Sequence, residues 1–93
     1  SIAMPTVKFT KNLLRFYPAL QTTAVEGDTV AAVIRALEQR FPGLSGYFID
    51  DQGQLREHVN IFVGNQLIHD RKTLSDPVHT EDLIYFMQAL SGG

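Results

Sequence analysis

Between Asp28 and Gly43 the sequence carries its one long helical signal, and that signal limits what the rest of the chain can be. Val30, Val33, Ile34, Leu37 and Phe41 recur at offsets of three and four, while Arg35, Glu38, Gln39 and Arg40 fall off that stripe. Asp28-Thr29 supplies an opening: Thr29 can accept from a free first-turn N–H, and Asp28 places negative charge near the positive end of the helix. Pro42-Gly43 closes it, because proline cannot continue the backbone ladder. One helix with one apolar stripe covers one face of one sheet. The remaining apolar runs must therefore supply that sheet.

Five runs do so. Thr6-Val7-Lys8-Phe9-Thr10 alternates with period two, with Val7 and Phe9 facing inward. Thr22 to Glu26 is a short β-branched strand ending at Gly27. Val59 to Val63 is a third strand, and Gly64-Asn65 turns it into a short return strand, Gln66-Leu67-Ile68. Leu83 to Gln88 is the last. Lys11 to Leu20, punctuated by Pro18, reads as a loop rich in bulky residues, Leu44 to Ile49 as a helical turn, and Leu74 to Thr80 as a loop. The order strand, strand, helix, strand, short strand, strand gives an α+β roll of the β-grasp kind: a single mixed β-sheet packed on one main helix.

At 93 residues the chain fits one domain. A net charge of −2 and the absence of a Lys/Arg cluster give no reason to expect nucleic acid. No apolar run approaches the ~20 residues of a membrane span, and no secretory signal pattern is present. With no cysteine, disulfides, thiolate metal sites and cysteine nucleophiles are excluded, and the cytoplasm is the expected compartment. Ser1-Ile2-Ala3 precede Met4, so residues 1–4 are read as an added remnant or a disordered N-terminus. Residues 5–88 form the domain, and residues 89–93 a flexible tail ending in Gly-Gly.

Motifs for chemistry within the domain are weak. His58, His69 and His79 match no short metal-ligand spacing and are expected on the surface, so no metal site is assigned. Asp50-Asp51-Gln52-Gly53 lacks the alternating oxygens of a calcium loop and reads as a turn. Ser75 and Ser91 lack a nucleophile elbow, and the glycines lack phosphate-loop spacing. No catalytic residue is assigned. The last strand is more informative. With Ile84 and Phe86 directed inward, Leu83, Tyr85 and Met87 point outward on a face that should be polar. Two readings stand: burial of both faces under a loop, or a partner-docking patch.

Glu26-Gly27-Asp28-Thr29-Val30, the helix end Arg40-Phe41-Pro42-Gly43-Leu44, His58-Val59-Asn60-Ile61-Phe62-Val63 and the closing Gly92-Gly93 stand in an order and spacing that resembles the MoaD/ThiS sulfur-carrier family. That family is the prokaryotic branch of the ubiquitin-like β-grasp fold, and the similarity runs from about Thr6 to Gly93. It implies a carrier protein, not an enzyme. An adenylating, E1-like partner would use ATP and Mg to activate the carboxylate of Gly93, and the acyl-adenylate would become a thiocarboxylate. Gly93 is then the thiocarboxylate and adenylation site, with Gly92 and Ser91 as its tail. The chain itself would bind no cofactor. A sulfur-accepting synthase subunit or other biosynthetic enzyme would take the sulfur toward molybdopterin, thiamine or cysteine. Ser91 stands where relatives often have alanine or threonine, and Gln88 where many have proline. These departures leave the pathway open. Two alternatives share the residues: a ubiquitin-like modifier conjugated through Gly93 to lysines, and an adaptor using only the Leu83, Tyr85 and Met87 face.

Overall fold

The computed structural model describes residues 2–88. In chain order the elements are β1 (Thr6–Phe9), a 3-10 turn at Lys11–Arg15, β2 (Thr23–Ala24), α1 (Val30–Arg40), a second 3-10 turn at Leu44–Tyr47, β3 (Val59–Val63), β4 (Gln66–Leu67) and β5 (Leu83–Gln88). The five strands form one sheet in the order β2-β1-β5-β3-β4. β1 and β5 run parallel at its centre, and the other neighbours are antiparallel. This is the mixed, single-helix β-grasp that the element order implied.

α1 begins where its capping residue dictates. Thr29 has extended backbone, and its hydroxyl accepts from the Ala32 N–H at 3.1 Å. The first-turn N–H groups of Val30 and Ala31 donate to the Asp76 and Leu74 carbonyls at 3.0 and 2.9 Å. The Asp28 carboxylate, one residue before the cap, accepts from the Ala3 N–H at 2.8 Å. At the far end Phe41 leaves the helical region, as a residue before proline must. Glu38 then fastens the exit, accepting from the Gly43 and Ser45 N–H groups at 2.7 and 2.9 Å. Those bonds, that from Gly43 foremost, hold its carboxyl below the usual range.

The core lies between α1 and one face of the sheet. Val30, Val33, Ile34 and Leu37 from the helix meet Val7, Ile61, Ile84 and Phe86 from the strands, all buried. Phe48, brought in by the second 3-10 turn, packs on Phe9 and Phe86 with ring centroids 6.2 and 4.8 Å away. Among the described residues no polar or charged side chain is buried.

Two segments differ from their expected form. β2 spans two residues where Thr22 to Glu26 was expected. The pairing does continue, with Val25 and Gly27 N–H donating to the Pro5 and Ala3 carbonyls at 2.9 Å each. Pro5 has no N–H to return, so the regular ladder stops there. The Lys11 to Leu20 loop opens with a 3-10 turn that buries Leu13, and Leu20 closes over the same core. Met4 N–H donates to the Thr80 hydroxyl at 3.1 Å.

Candidate functional site

The sheet face turned away from α1 carries the candidate site. Inward residues of β3 and β5 alternate with outward ones, so Asn60 and Phe62 share the outer face with Leu83, Tyr85 and Met87. The register places Lys8, Tyr85, Phe62 and Leu67 in one row across four strands. Leu83 and Leu67 are 45% and 49% exposed, large fractions for leucine on a sheet, while Phe62, Tyr85 and Met87 are half-buried. Phe62, Leu83, Tyr85 and Met87, with Gly64 and Asn65, line an open trough of about 430 Å³, and Leu67 lies beside Phe62 in the register. Lys8 extends along its wall, its Nζ 5.9 Å from the centre of the Tyr85 ring.

The structure thus brings Leu83, Tyr85 and Met87 onto one accessible surface, and among the described residues no loop encloses them. Phe62, Lys8 and Leu67 belong to the same surface and were missed. The alternation of β3 held the signal for Phe62, since inward Val59 and Ile61 leave it outward.

The strand that carries this face also leads toward the closing glycines. Its last residue, Gln88, is held by Thr10, the residue that follows β1. The Thr10 hydroxyl accepts from the Gln88 N–H at 3.0 Å and donates to the Phe86 carbonyl at 3.2 Å. Thr10 N–H also donates to that carbonyl, at 3.1 Å. The Gln88 amide nitrogen lies 3.4 Å from His58 Nε2. Ser91, Gly92 and Gly93 lie outside the described residues, as do Ala89 and Leu90.

The other candidates separate into local structural roles. The three histidines are exposed. His69 Nδ1 sits 3.3 Å from Asp76 and His79 Nδ1 sits 3.5 Å from Asp82. Burial pushes the Asp76 carboxyl up, but bonds from the His69 and Asp70 N–H groups and the His69 ring outweigh it and hold it low. Ser75 is committed to Asp70: its hydroxyl donates to that carboxylate, which also accepts from the Thr73 hydroxyl and from three backbone N–H groups. The Ser75 bond first, then those from Thr73, hold the Asp70 carboxyl far below the usual range. Asp50 accepts from the Gln52 and Gln54 N–H groups, which makes its acidic stretch a side-chain-locked turn. Among the described residues no helix is long and apolar enough to cross a membrane.

Comparison with known proteins sharpens this picture. The sequence model of the ThiS family matches residues 8–93. The sulfur carrier protein CysO of Mycobacterium tuberculosis is 29% identical over 75 residues, which is 78% of this chain and 81% of that protein. Its crystal structure superposes with a TM-score of 0.79 at 26% identity, covering 91% of this chain and 98% of that one. A chain of the BexX/CysO complex of Amycolatopsis orientalis gives a TM-score of 0.81 at 21% identity, with 95% and 98% covered. Small archaeal modifier protein 1 of Methanosarcina acetivorans gives 0.80 at 21% identity, with 100% and 99% covered. At 21% the last two show a shared ubiquitin-like β-grasp fold.

Proposed function

The chain belongs to the ThiS family, and from that premise we propose that it is a sulfur carrier whose reacting group is the carboxylate of Gly93. The observation that carries the reading is the continuity of β5. One strand presents Leu83, Tyr85 and Met87 on an open apolar trough and ends at Gln88, five positions before Gly93. The body is then a handle, and the segment beyond it the reagent.

The chemistry follows from what a carboxylate lacks. Its oxygens are poor leaving groups, so a sulfur nucleophile cannot displace them directly. In the proposed sequence, a Gly93 carboxylate oxygen attacks the α-phosphorus of ATP on an adenylating, E1-like partner, and pyrophosphate leaves. The partner supplies the nucleotide site and Mg. A sulfur nucleophile then attacks the carbonyl carbon of the acyl-adenylate and AMP leaves, giving the thiocarboxylate. A synthase subunit or other biosynthetic enzyme accepts that sulfur. Glycine suits the final two positions because a backbone without Cβ can enter a narrow channel.

Docking energy is consistent with this division of labour. Ordering a flexible residue costs roughly 1–2 kcal/mol, and fully burying one large apolar side chain returns roughly 1.5–3 kcal/mol. Phe62, Tyr85 and Met87 are already half-buried and contribute part of that amount, while Leu83 and Leu67 extend the available surface.

The test is to incubate a chain ending at Gly93 with ATP, Mg, a sulfide source and an adenylating enzyme of this family, then weigh the intact protein. The expected result is replacement of one oxygen by sulfur at Gly93. Absence of exchange with every such enzyme overturns the carrier reading. Isopeptide adducts on lysines, formed without a thiocarboxylate, would favour the modifier alternative.

A further inference from the structure

Thr10 stands where a capping residue belongs, at the start of the 3-10 turn Lys11–Arg15, with φ −61° and ψ 142°. Its hydroxyl makes no bond to that turn. The hydroxyl serves the end of β5 instead, accepting from the Gln88 N–H, 78 positions away in sequence, and donating to the Phe86 carbonyl.

The parallel ladder between β1 and β5 explains the diversion. Thr6 N–H donates to the Asp82 carbonyl and Thr10 N–H to the Phe86 carbonyl, at 3.0 and 3.1 Å. Continued in that register, the Gln88 N–H would donate to the Thr10 carbonyl. That carbonyl is already taken: it accepts from the Leu13 N–H at 3.2 Å as the chain turns to bury Leu13. The hydroxyl substitutes for it. On the other side of β5, Gly64 N–H donates to the Leu83 carbonyl, so the positions bonded to β3 are Leu83, Tyr85 and Met87, and Gln88 is not among them. The Gln88 side-chain amide meets His58 Nε2 at 3.4 Å, but that contact leaves the backbone to Thr10. Among the described residues, the bond to Thr10 is the last that β5 makes through its backbone.

We propose that Thr10 is a positioning residue for Gly93: its hydroxyl sets where the rigid body ends and where the five positions leading to the carboxylate begin. The inference deepens the carrier reading and rests on it, and Thr10 does not line the trough. Without the hydroxyl the Gln88 N–H loses its acceptor, while Thr10 N–H still holds the Phe86 carbonyl. Gln88 then adds to the length of chain that must be ordered each time the carboxylate enters the partner. Each added residue lowers the fraction of docked carriers with Gly93 in place. The loss falls on the rate of activation and not on docking, because Leu83, Tyr85 and Met87 keep their places.

The test uses the full chain with Thr10→Val, which keeps the branched shape and removes the hydroxyl, and Thr10→Ser, which keeps the hydroxyl. Both are measured in ATP–pyrophosphate exchange with an adenylating enzyme that activates the wild-type chain, and thermal melts check folding. Thr10→Val should lower kcat roughly three- to tenfold with KM within about twofold of wild type, and Thr10→Ser should recover about half the wild-type kcat or more. Hydrogen exchange reads the bond directly: the Gln88 amide should be protected in the wild-type chain and in Thr10→Ser, and should exchange freely in Thr10→Val. A purely structural role would lower the melting temperature and leave kcat unchanged. A Thr10→Val kcat within about twofold of wild type overturns the proposal, as does an equal loss in Thr10→Ser. If Thr10→Val does not fold, Thr10→Ala takes its place, and an unprotected Gln88 amide in the wild-type chain overturns the proposal without any variant. Those outcomes leave the carrier reading standing. Failure of the wild-type chain to support exchange with any such enzyme overturns the carrier reading and this role together.

Discussion

A methyl group on Gly27 would fall 2.8 Å from the backbone nitrogen of Val33 and 2.9 Å from its Cγ2. Neither neighbour is free to yield, because Val33 N–H is bonded to Thr29 and its side chain is fully buried. Gly27→Ala should therefore destabilise the fold by about 1–3 kcal/mol, the usual cost of overpacking. Urea unfolding would read it as a lower midpoint at unchanged slope. The sequence showed Gly27 inside the stretch Glu26 to Val30 that resembles the family, but the reason for glycine was not legible. It depends on how closely β2's exit passes over α1, which is a tertiary fact. Asp70 was equally hidden, because only the folded loop brings the Thr73 and Ser75 hydroxyls onto one carboxylate. Its folded-state pKa is depressed, so its stabilising contribution is present above the ordinary aspartate value of about 4 and is lost as pH falls toward the folded value. Asp70→Asn should lower the melting temperature at neutral pH and flatten its fall between about pH 5 and pH 2. Glu38 and Asp76 are shifted in the same direction, so some acid sensitivity persists in that variant.

Among the elements, those with a regular period were legible and those set by contacts were not. The stripe Val30, Val33, Ile34, Leu37 located α1, and Thr29 marked its start. Thr29→Ala removes the bond to Ala32 N–H and should cost about 1 kcal/mol, measurable by thermal or urea melts. β3 and β5 matched their expected bounds because each alternates cleanly on its inward side. The 3-10 turn at Lys11–Arg15 had no such period to reveal it. It exists because burying Leu13 folds the connection back onto the core. On β5 the departure from alternation was the useful sign, since Leu83, Tyr85 and Met87 interrupt what should be a polar face. Leu83→Ser should cost no more than about 1 kcal/mol of stability, because Leu83 is nearly half exposed, yet weaken binding to the proposed adenylating partner. A melt alongside a direct titration separates these effects. Equal affinity for the variant and the wild type would remove Leu83 from the docking face.

At the scale of the whole molecule, the proposed carrier function would have the fold convert docking position into reach. Thr10, just past β1, holds the end of β5 through the Phe86 carbonyl and the Gln88 N–H, so Gln88 has a fixed place on the body. Gly93 lies five positions beyond that point, and fully extended those positions span at most about 18 Å. A partner seated on the outer face must therefore place its nucleotide within that distance of Gln88. Deleting Ala89 and Leu90 keeps the Gly92-Gly93 ending but withdraws it by about 7 Å. Such a chain should melt like wild type and still occupy the docking site, because Leu83, Tyr85 and Met87 are untouched. Its carboxylate should fall short of the α-phosphorus. The expected outcome is loss of ATP–pyrophosphate exchange together with competitive inhibition of the full-length chain, at an inhibition constant close to the full-length KM. Activation of the shortened chain at the normal rate would show that the body does not set the reach. The trough would then have to be assigned to a step after activation, when the thiocarboxylate meets its acceptor.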